Sequence, residues 1–245
     1  ILNGADYTVW DPRTDAHISR AYGERDVMEG KRANRTALMK ELGLDWPLHT
    51  PLAIAVTRLA HQKGADILAR ALARLAPESI RAVILGCGDP GMEKRLQRLA
   101  ADNPGICFIP RFSEPLAHRL QAAADLFLMP SRYEPCGLAQ IYALRYGTIP
   151  VVRRTGGLAD TVTDADTAME GTGFLFDRPH AADLLRAMKR SIRAVSDPSR
   201  LARLRASAMK QDFSWHAAAA RYARLYNQTL TNGDQHEQTG DCQRR

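Results

Sequence analysis

Long apolar runs are missing from this sequence. No stretch approaches the roughly 18 residues needed to cross a bilayer, and no leader of charged, apolar and small residues stands at its start. Neither a membrane segment nor a secretory signal is expected. Cysteine is scarce as well: Cys87, Cys107, Cys136 and Cys242 form no C-x-x-C pair and no metal-ligand spacing. The expectation is therefore a reduced, cytoplasmic setting with no disulfide framework and no metal site. No internal repeat appears. Basic residues are spread along the chain without the signature of a nucleic-acid module, so nucleic acid is not an expected partner. The chain also has no initiator methionine; it opens ILNGADYTVW and reads as a piece of something longer.

What is present is an ordinary globular composition, with 245 residues of which 45% are hydrophobic and 25% charged. That length suffices for one large domain or two small ones. Lysine and arginine exceed aspartate and glutamate by 34 to 27, a net charge of +7. Such an excess is either a solvated arginine-rich surface or a provision for an anionic ligand.

From Pro51 onward, short apolar runs alternate with helical patterns. Strands are predicted at residues 52–57 (LAIAVT), 81–85 (RAVIL), 106–109 (ICFI), 125–129 (DLFLM) and 149–152 (IPVV), with a further short run at 174–176. Their near-continuous hydrophobicity is that of parallel strands covered on both faces. Helices are predicted between them at 65–75, 93–102, 115–124 and 138–146, and after them near 181–195, 198–209 and 215–230. This alternation predicts an α/β fold, a Rossmann-like doubly wound parallel sheet with ligands at the carboxyl ends of its strands. Residues 1–50 read as a hinge and lead-in segment with a helical insertion at 30–42. Residues 51–230 read as the sheet domain with its C-terminal helices, and the polar tail 231–245 as disordered.

Five stretches at strand ends could carry chemistry. In TRLAHQKGAD (57–66), Arg58 and Lys63 can clamp a diphosphate, or simply decorate a basic loop. GCGDPG (86–91) satisfies G-x-G-x-x-G after a strand. However, Pro90 interrupts the turn and no acid at the tip of the next strand awaits a ribose hydroxyl; the motif reads as a strand–helix turn. Phe112 leaves the third strand and can stack on a planar base, although core packing is the usual fate of such a ring. PSRYEPCGL (130–138) joins a strand to a helix. There Cys136, Gly137 and Leu138 present N–H groups to an anion, Glu134 faces something that needs a carboxylate, and Cys136 lacks an adjacent base that would make it a nucleophile. RRTGGLADT (153–161) offers a glycine pair, Gly156 and Gly157, that either approaches a ligand closely or merely permits a loop.

Taken together, the segments ILNGAD, TRLAHQKGAD, PSRYEPCGLAQIYALRYGTIPVVRRTGGLADTV and GTGF resemble the bacterial glycogen synthase and plant starch synthase family, over nearly the whole chain except the polar tail. The resemblance implies a retaining glycosyltransferase that moves glucose from ADP-glucose to the non-reducing end of an α-1,4-glucan in glycogen biosynthesis. It implies a two-domain, GT-B type architecture of which this chain is the C-terminal, donor-binding half, with no cofactor beyond the sugar nucleotide. Carried over by motif, Arg58 and Lys63 hold the diphosphate and stabilise it on leaving, and Glu134 binds the transferred glucose and supports the transition state. Cys136, Gly137 and Leu138 contribute N–H groups, Phe112 takes the place of an adenine-stacking tyrosine, and Asn3 stands near the reaction centre. Thr155, Gly156 and Gly157 line the donor pocket.

Departures from the pattern are specific. Ala139 replaces a common Thr or Ser, removing one phosphate hydrogen bond. The N-terminal catalytic domain, which would supply acceptor surface and further active-site residues, is absent, so the chain alone is expected to bind donor weakly and not to turn over. Relatives carrying E-x7-E would have a second Glu where Tyr142 stands, which favours the glycogen and starch synthase branch. Two alternatives from other classes are an NAD(P)-dependent oxidoreductase domain, raised by residues 86–91, and a non-catalytic nucleotide-sugar-binding module.

Overall fold

The computed structural model describes residues 1–75 and 78–240, with side chains described through residue 230. Six parallel strands form one sheet: β1 (Leu52–Val56), β2 (Arg81–Leu85), β3 (Ile106–Ile109), β4 (Leu126–Met129), β5 (Ile149–Arg153) and β6 (Phe174–Phe176). Their spatial order is β3-β2-β1-β4-β5-β6. This is the doubly wound order, whose reversal between β1 and β4 opens a crevice at the carboxyl ends of those two strands. The strand interiors are apolar because helices cover both faces: Leu52, Ala53, Ile54 and Ala55 of β1 and all of β4 are buried.

Nine α-helices accompany the strands among the described residues: α1 (Val27–Leu42), α2 (Ala65–Leu72), α3 (Pro90–Asp102), α4 (Glu114–Ala123), α5 (Ala139–Arg145), α6 (Gly156–Thr161), α7 (Ala181–Val195), α8 (Pro198–Met209) and α9 (Trp215–Gly240). Local chemistry starts several of them. Asp89 accepts from the Met92 N–H at 2.8 Å ahead of Pro90, and Asp197 accepts from the N–H groups of Ser199 and Arg200 ahead of Pro198. Gly43, at φ +65°, ends α1.

Two compact units are present, and they divide differently from the expected 1–50, 51–230 and 231–245. The larger is residues 8–211; the smaller combines residues 1–7 with the segment from Asp212 onward. Residues 8–50 therefore belong with the sheet. Trp10 is sandwiched between the rings of His118 (3.6 Å) and Tyr142 (4.1 Å). Asp15 accepts from His118 Nδ1 at 2.8 Å and from the Tyr146 hydroxyl at 2.6 Å. Burial alone would push the Asp15 carboxyl up, but these hydrogen bonds, with one from the His17 N–H, hold it below its ordinary value.

Lys31, only 2% exposed, donates to the carbonyls of Gln121 and Tyr146 and to the Thr148 hydroxyl, at 2.9, 2.9 and 2.8 Å. Those carbonyls stand at the C-terminal ends of α4 and α5, where a helix favours a cation. Burial nevertheless pushes the Lys31 amine well below its ordinary pKa.

Asp125, at the amino edge of β4, ties the scaffold behind the crevice. Its carboxylate accepts from the Leu52 N–H at 2.9 Å, from Arg35 of α1 at 3.1 Å and from Arg205 of α8 at 2.8 Å. Both guanidiniums are almost wholly buried.

The smaller unit pairs the chain's start with the base of α9. Ala5 donates to the Phe213 carbonyl at 2.7 Å, and a side chain at Gly4 would lie 2.4 Å from the Trp215 backbone. The backbone of α9 stays helical to Gly240, across part of the stretch expected to be disordered; no proline interrupts it, and polar composition alone does not break a helical ladder. Residues 241–245, Cys242 among them, lie outside the described residues.

Removing the Asp125 carboxylate strands two buried cations. Asp125→Ala should lower unfolding free energy by about 3–5 kcal/mol in a urea titration, whereas Asp177→Ala, at an exposed pair with Arg154, should change it by less than about 1 kcal/mol. Equal effects would remove Asp125 from this central role.

Candidate active site at the sheet switch point

The loops leaving β1 and β4 meet over the crevice, and glycine makes the meeting possible. Gly64 has φ +70°, and a Cβ there would lie 2.2 Å from the Pro130 carbonyl oxygen. Only glycine accommodates both the left-handed backbone and the approach. Around that contact the Arg132 N–H donates to the Gln62 carbonyl (2.8 Å) and Gln62 Nε2 to the Tyr133 carbonyl (3.1 Å). The Arg132 guanidinium reaches the His61 carbonyl at 2.8 Å and grips Asp66 in a fork of 2.7 and 2.9 Å. The Arg132 hydrogen bonds, opposed by burial, hold the Asp66 carboxyl below its ordinary value of 3.8.

The stretch at residues 86–91 has the structural role its sequence implied. A Cβ on Gly86 would sit 1.8 Å from the Thr57 carbonyl oxygen, and one on Gly88 2.5 Å from that of Leu59. These glycines let the loops after β1 and β2 continue the ladder, with the Leu59 N–H donating to Cys87 and the Asp89 N–H to Leu59, each at 2.8 Å.

Within the crevice, Glu134 is 7% exposed at its side chain. It accepts from Lys63 Nζ at 2.5 Å and from the Ser131 hydroxyl at 3.2 Å. A cavity of about 460 Å³ opens beside this pair. Its walls include Arg58, Lys63, Phe112, Glu134, Gly137 and Leu138, all singled out in the sequence, together with Arg111, Cys87 and Ala139. Phe112 is 79% exposed, so of the two fates open to it the ring is not packed in the core and faces outward. Arg58 and Arg111 are exposed, and among the described residues neither guanidinium has an ion-pair partner. The N–H groups of Cys136, Gly137 and Leu138 likewise meet no acceptor among the described residues.

Five residues expected at the donor site are not among those that line this cavity. The glycine pair approaches protein rather than open space: a Cβ on Gly156 would be 2.1 Å from the Glu134 carbonyl oxygen, and one on Gly157 2.1 Å from that of Cys136. The Gly157 N–H also donates to Glu134 O at 3.0 Å. This pair is the floor on which the EPCG turn rests. Thr155, just before α6, does not line the cavity. Cys136 is free and half-buried; its thiol donates to the Gly137 carbonyl at 3.5 Å, and the cavity wall is formed by its neighbours. Asn3 is an exposed residue of the smaller unit. Arg153, the last residue of β5, is spent on the chain, donating to the carbonyls of Ser131 (3.0 Å), Arg132 and Asp177 (3.2 Å).

Sequence reasoning missed Arg111, whose place beside Phe112 in the crevice depends on where β3 ends. It also missed Gln140, wholly buried beneath the turn, whose amide donates to the carbonyls of Cys136 (3.1 Å) and Gly137 (2.9 Å). Its sequence position, early in a helix, carries no mark of that role. A larger groove of about 800 Å³ runs along α7, but its Arg178 and Arg186 are already shared with Asp183, and among the described residues its Lys189 forms no ion pair with an acid. In the switch-point cavity, by contrast, an exposed ring, three cations, free N–H groups and one buried carboxylate converge. They can receive a planar base, a diphosphate and a hydroxylated group in succession.

Residues 43–211 match the family described as "Glycosyl transferases group 1". The glycogen synthase of Anaeromyxobacter dehalogenans is 47% identical over 234 residues, covering 95% of this chain and 49% of that protein. That of Rhodospirillum rubrum is 42% identical, covering 96% and 49%. The catalytic domain of starch synthase IV from Arabidopsis thaliana, solved bound to ADP and acarbose, superposes with a TM-score of 0.86 at 34% identity, over 94% of this chain and 49% of that one. The chain spans about half the length of the curated relatives it matches.

Gly64→Ala forces a left-handed alanine against a carbonyl. The conformation alone costs about 1–2 kcal/mol, so the loss read from a denaturant midpoint should exceed that; a smaller loss would show that the loops are not held by this contact. The Arg132–Asp66 fork should stabilise fully above pH 3.8, the Asp66 value in an unfolded chain, and fade as pH falls through its lower folded value. Stability of Asp66→Asn should accordingly change less with pH below 4 than that of the parent, a difference measurable by thermal melts at stepped pH.

Proposed function

The chain belongs to the glycosyl transferases group 1 family, and we propose that it is the donor-binding half of an ADP-glucose-dependent glycogen synthase. The whole enzyme transfers glucose, with retention of configuration, to the non-reducing end of an α-1,4-glucan. The observation that carries this reading is the buried Lys63–Glu134 pair at the mouth of a cavity that also holds Arg58 and an outward Phe112. Support comes from the relatives' names and from the ADP held by the Arabidopsis starch synthase.

In this reading adenine stacks on Phe112, and the diphosphate lies between Arg58, Lys63 and the N–H groups at Gly137 and Leu138. The sugar reaches Glu134. A carboxylate this close to phosphate would be repelled, but Lys63, 2.5 Å away, neutralises it and leaves its oxygens to accept from sugar hydroxyls. The bond from the glucose anomeric carbon to the diphosphate oxygen breaks, and its electron pair leaves on the phosphate. The acceptor's 4-hydroxyl oxygen attacks the same face, and its proton passes to the departing phosphate oxygen. Arg58 and Lys63 stabilise the charge that builds on the leaving group, while Glu134 stabilises positive charge at the sugar. No cofactor is required, because the sugar–diphosphate bond supplies the driving force.

The glucan acceptor completes the assignment at the level of family pattern, and a cytoplasmic setting goes with that substrate. The half of the relatives' length that this chain does not cover would supply the acceptor surface. The 245-residue chain alone then behaves as a nucleotide-sugar-binding module.

Elongation of glycogen with radiolabelled ADP-glucose tests this directly. A chain extended to the length of its relatives should transfer glucose, and the 245-residue chain should not; elongation by the short chain would contradict the division of labour. In the extended protein, Glu134→Gln and Lys63→Ala should each lower kcat by on the order of 10²–10³-fold. A near-normal rate for either would remove that residue from the catalytic set.

A further inference from the structure

Gln140 is wholly buried in the first turn of α5, one layer behind the cavity wall. Its Nε2 faces three oxygens: the Cys136 carbonyl at 3.1 Å, the Gly137 carbonyl at 2.9 Å and the Thr161 hydroxyl at 3.2 Å. Thr161 has committed its proton to the Gly157 carbonyl at 2.6 Å, so towards Gln140 it can only accept. All three partners are therefore acceptors, and only a donor fits among them. Gly137 is moulded to the same side chain. It holds φ +73°, and a Cβ there would lie 2.4 Å from Gln140 Oε1. One amide thus grips two successive peptide carbonyls of the EPCG turn and, through Thr161, the α6 floor beneath it.

We propose that Gln140 is a positioning residue for donor binding and transfer. By fixing the Cys136 and Gly137 carbonyls inward, it turns the N–H groups of the same two peptides, those of Gly137 and Leu138, outward to the cavity. An N–H and the carbonyl bonded to it point in opposite directions across a planar peptide, so anchoring one orients the other. Binding through those N–H groups then needs no rearrangement of the turn. The inference rests on the donor site proposed above and adds to it a residue that touches neither substrate nor cavity.

The test is Gln140→Glu in the chain extended to its relatives' length. The substitution keeps shape and replaces the donor with an acceptor. Burial and three acceptor oxygens raise the pKa of the introduced carboxyl; above that pKa the carboxylate should raise the ADP-glucose KM and lower kcat together, with kcat/KM down on the order of 100-fold. Because a protonated carboxyl regains one O–H donor, the deficit relative to the parent should shrink at least tenfold as pH is lowered by two units through that pKa. A residue that merely fills space would show no such relief. Thr161→Val, which removes the relay but leaves the amide in place, should give a smaller, pH-independent loss of about tenfold and serves if Gln140→Glu does not fold. Gln140→Glu within threefold of the parent at all pH values, or Thr161→Val at parental kcat/KM should the other not fold, would overturn the proposal. Absence of transfer by the parent itself would instead overturn the functional reading.

Discussion

The ion pair between Lys63 and Glu134 is where the two halves of the sheet's crevice become one site. Lys63 comes from the loop after β1 and Glu134, 71 residues later in sequence, from the loop after β4, a strand adjacent to β1 in space. Each group is mostly buried, so each requires the other: an isolated carboxylate or ammonium at that depth would carry a large desolvation cost. Their contact in turn requires that the two loops touch. Gly64 against Pro130, Arg132 on Asp66, and Arg153 on the Ser131 carbonyl keep them touching. Much of the polar chemistry around the cavity is thus used to hold backbone, while the Arg58 and Arg111 guanidiniums and the turn's N–H groups have no partner among the described residues.

Behind the crevice, rigidity comes from buried charge placed against helix ends. Lys31 caps the carbonyls that close α4 and α5, and Arg35 and Arg205 converge on Asp125 at the opposite edge of β1 and β4. The same two strands are therefore fixed at both ends. Any slippage between them would break Asp125's contact with the Leu52 N–H at one edge and the lysine–glutamate contact at the other. A site assembled from two loops keeps its geometry because the strands under them cannot move independently.

The sheet was largely legible in the sequence, because continuous apolar runs as short as LAIAV and LFLM, alternating with helical patterns, fit covered parallel strands better than buried helices. Arg58, Lys63 and Glu134 were legible through their motifs and through the rule that places ligands at carboxyl edges. Other features were not. Lys31, Asp15 and Trp10 look like surface residues of a flanking segment, and only tertiary partners from α4 and α5 reveal them as core. Gly156 and Gly157 announce close approach without saying to what; the structure shows it to the backbone of the EPCG turn. Phe112 points outward because β3 ends three residues before it, and periodicity does not set the direction of a ring beyond a strand's last rung. Gln140 carries no sequence signal at all, since a buried glutamine is defined by what surrounds it.

A crystal structure of the chain soaked with saturating ADP tests the central claim most directly. It should show adenine stacked on Phe112, ring planes in van der Waals contact, and the diphosphate bridging Arg58 and Lys63 with oxygens on the N–H groups of Gly137 and Leu138. ADP bound at another face, or an empty cavity with the Lys63–Glu134 pair unchanged at saturating nucleotide, would contradict it.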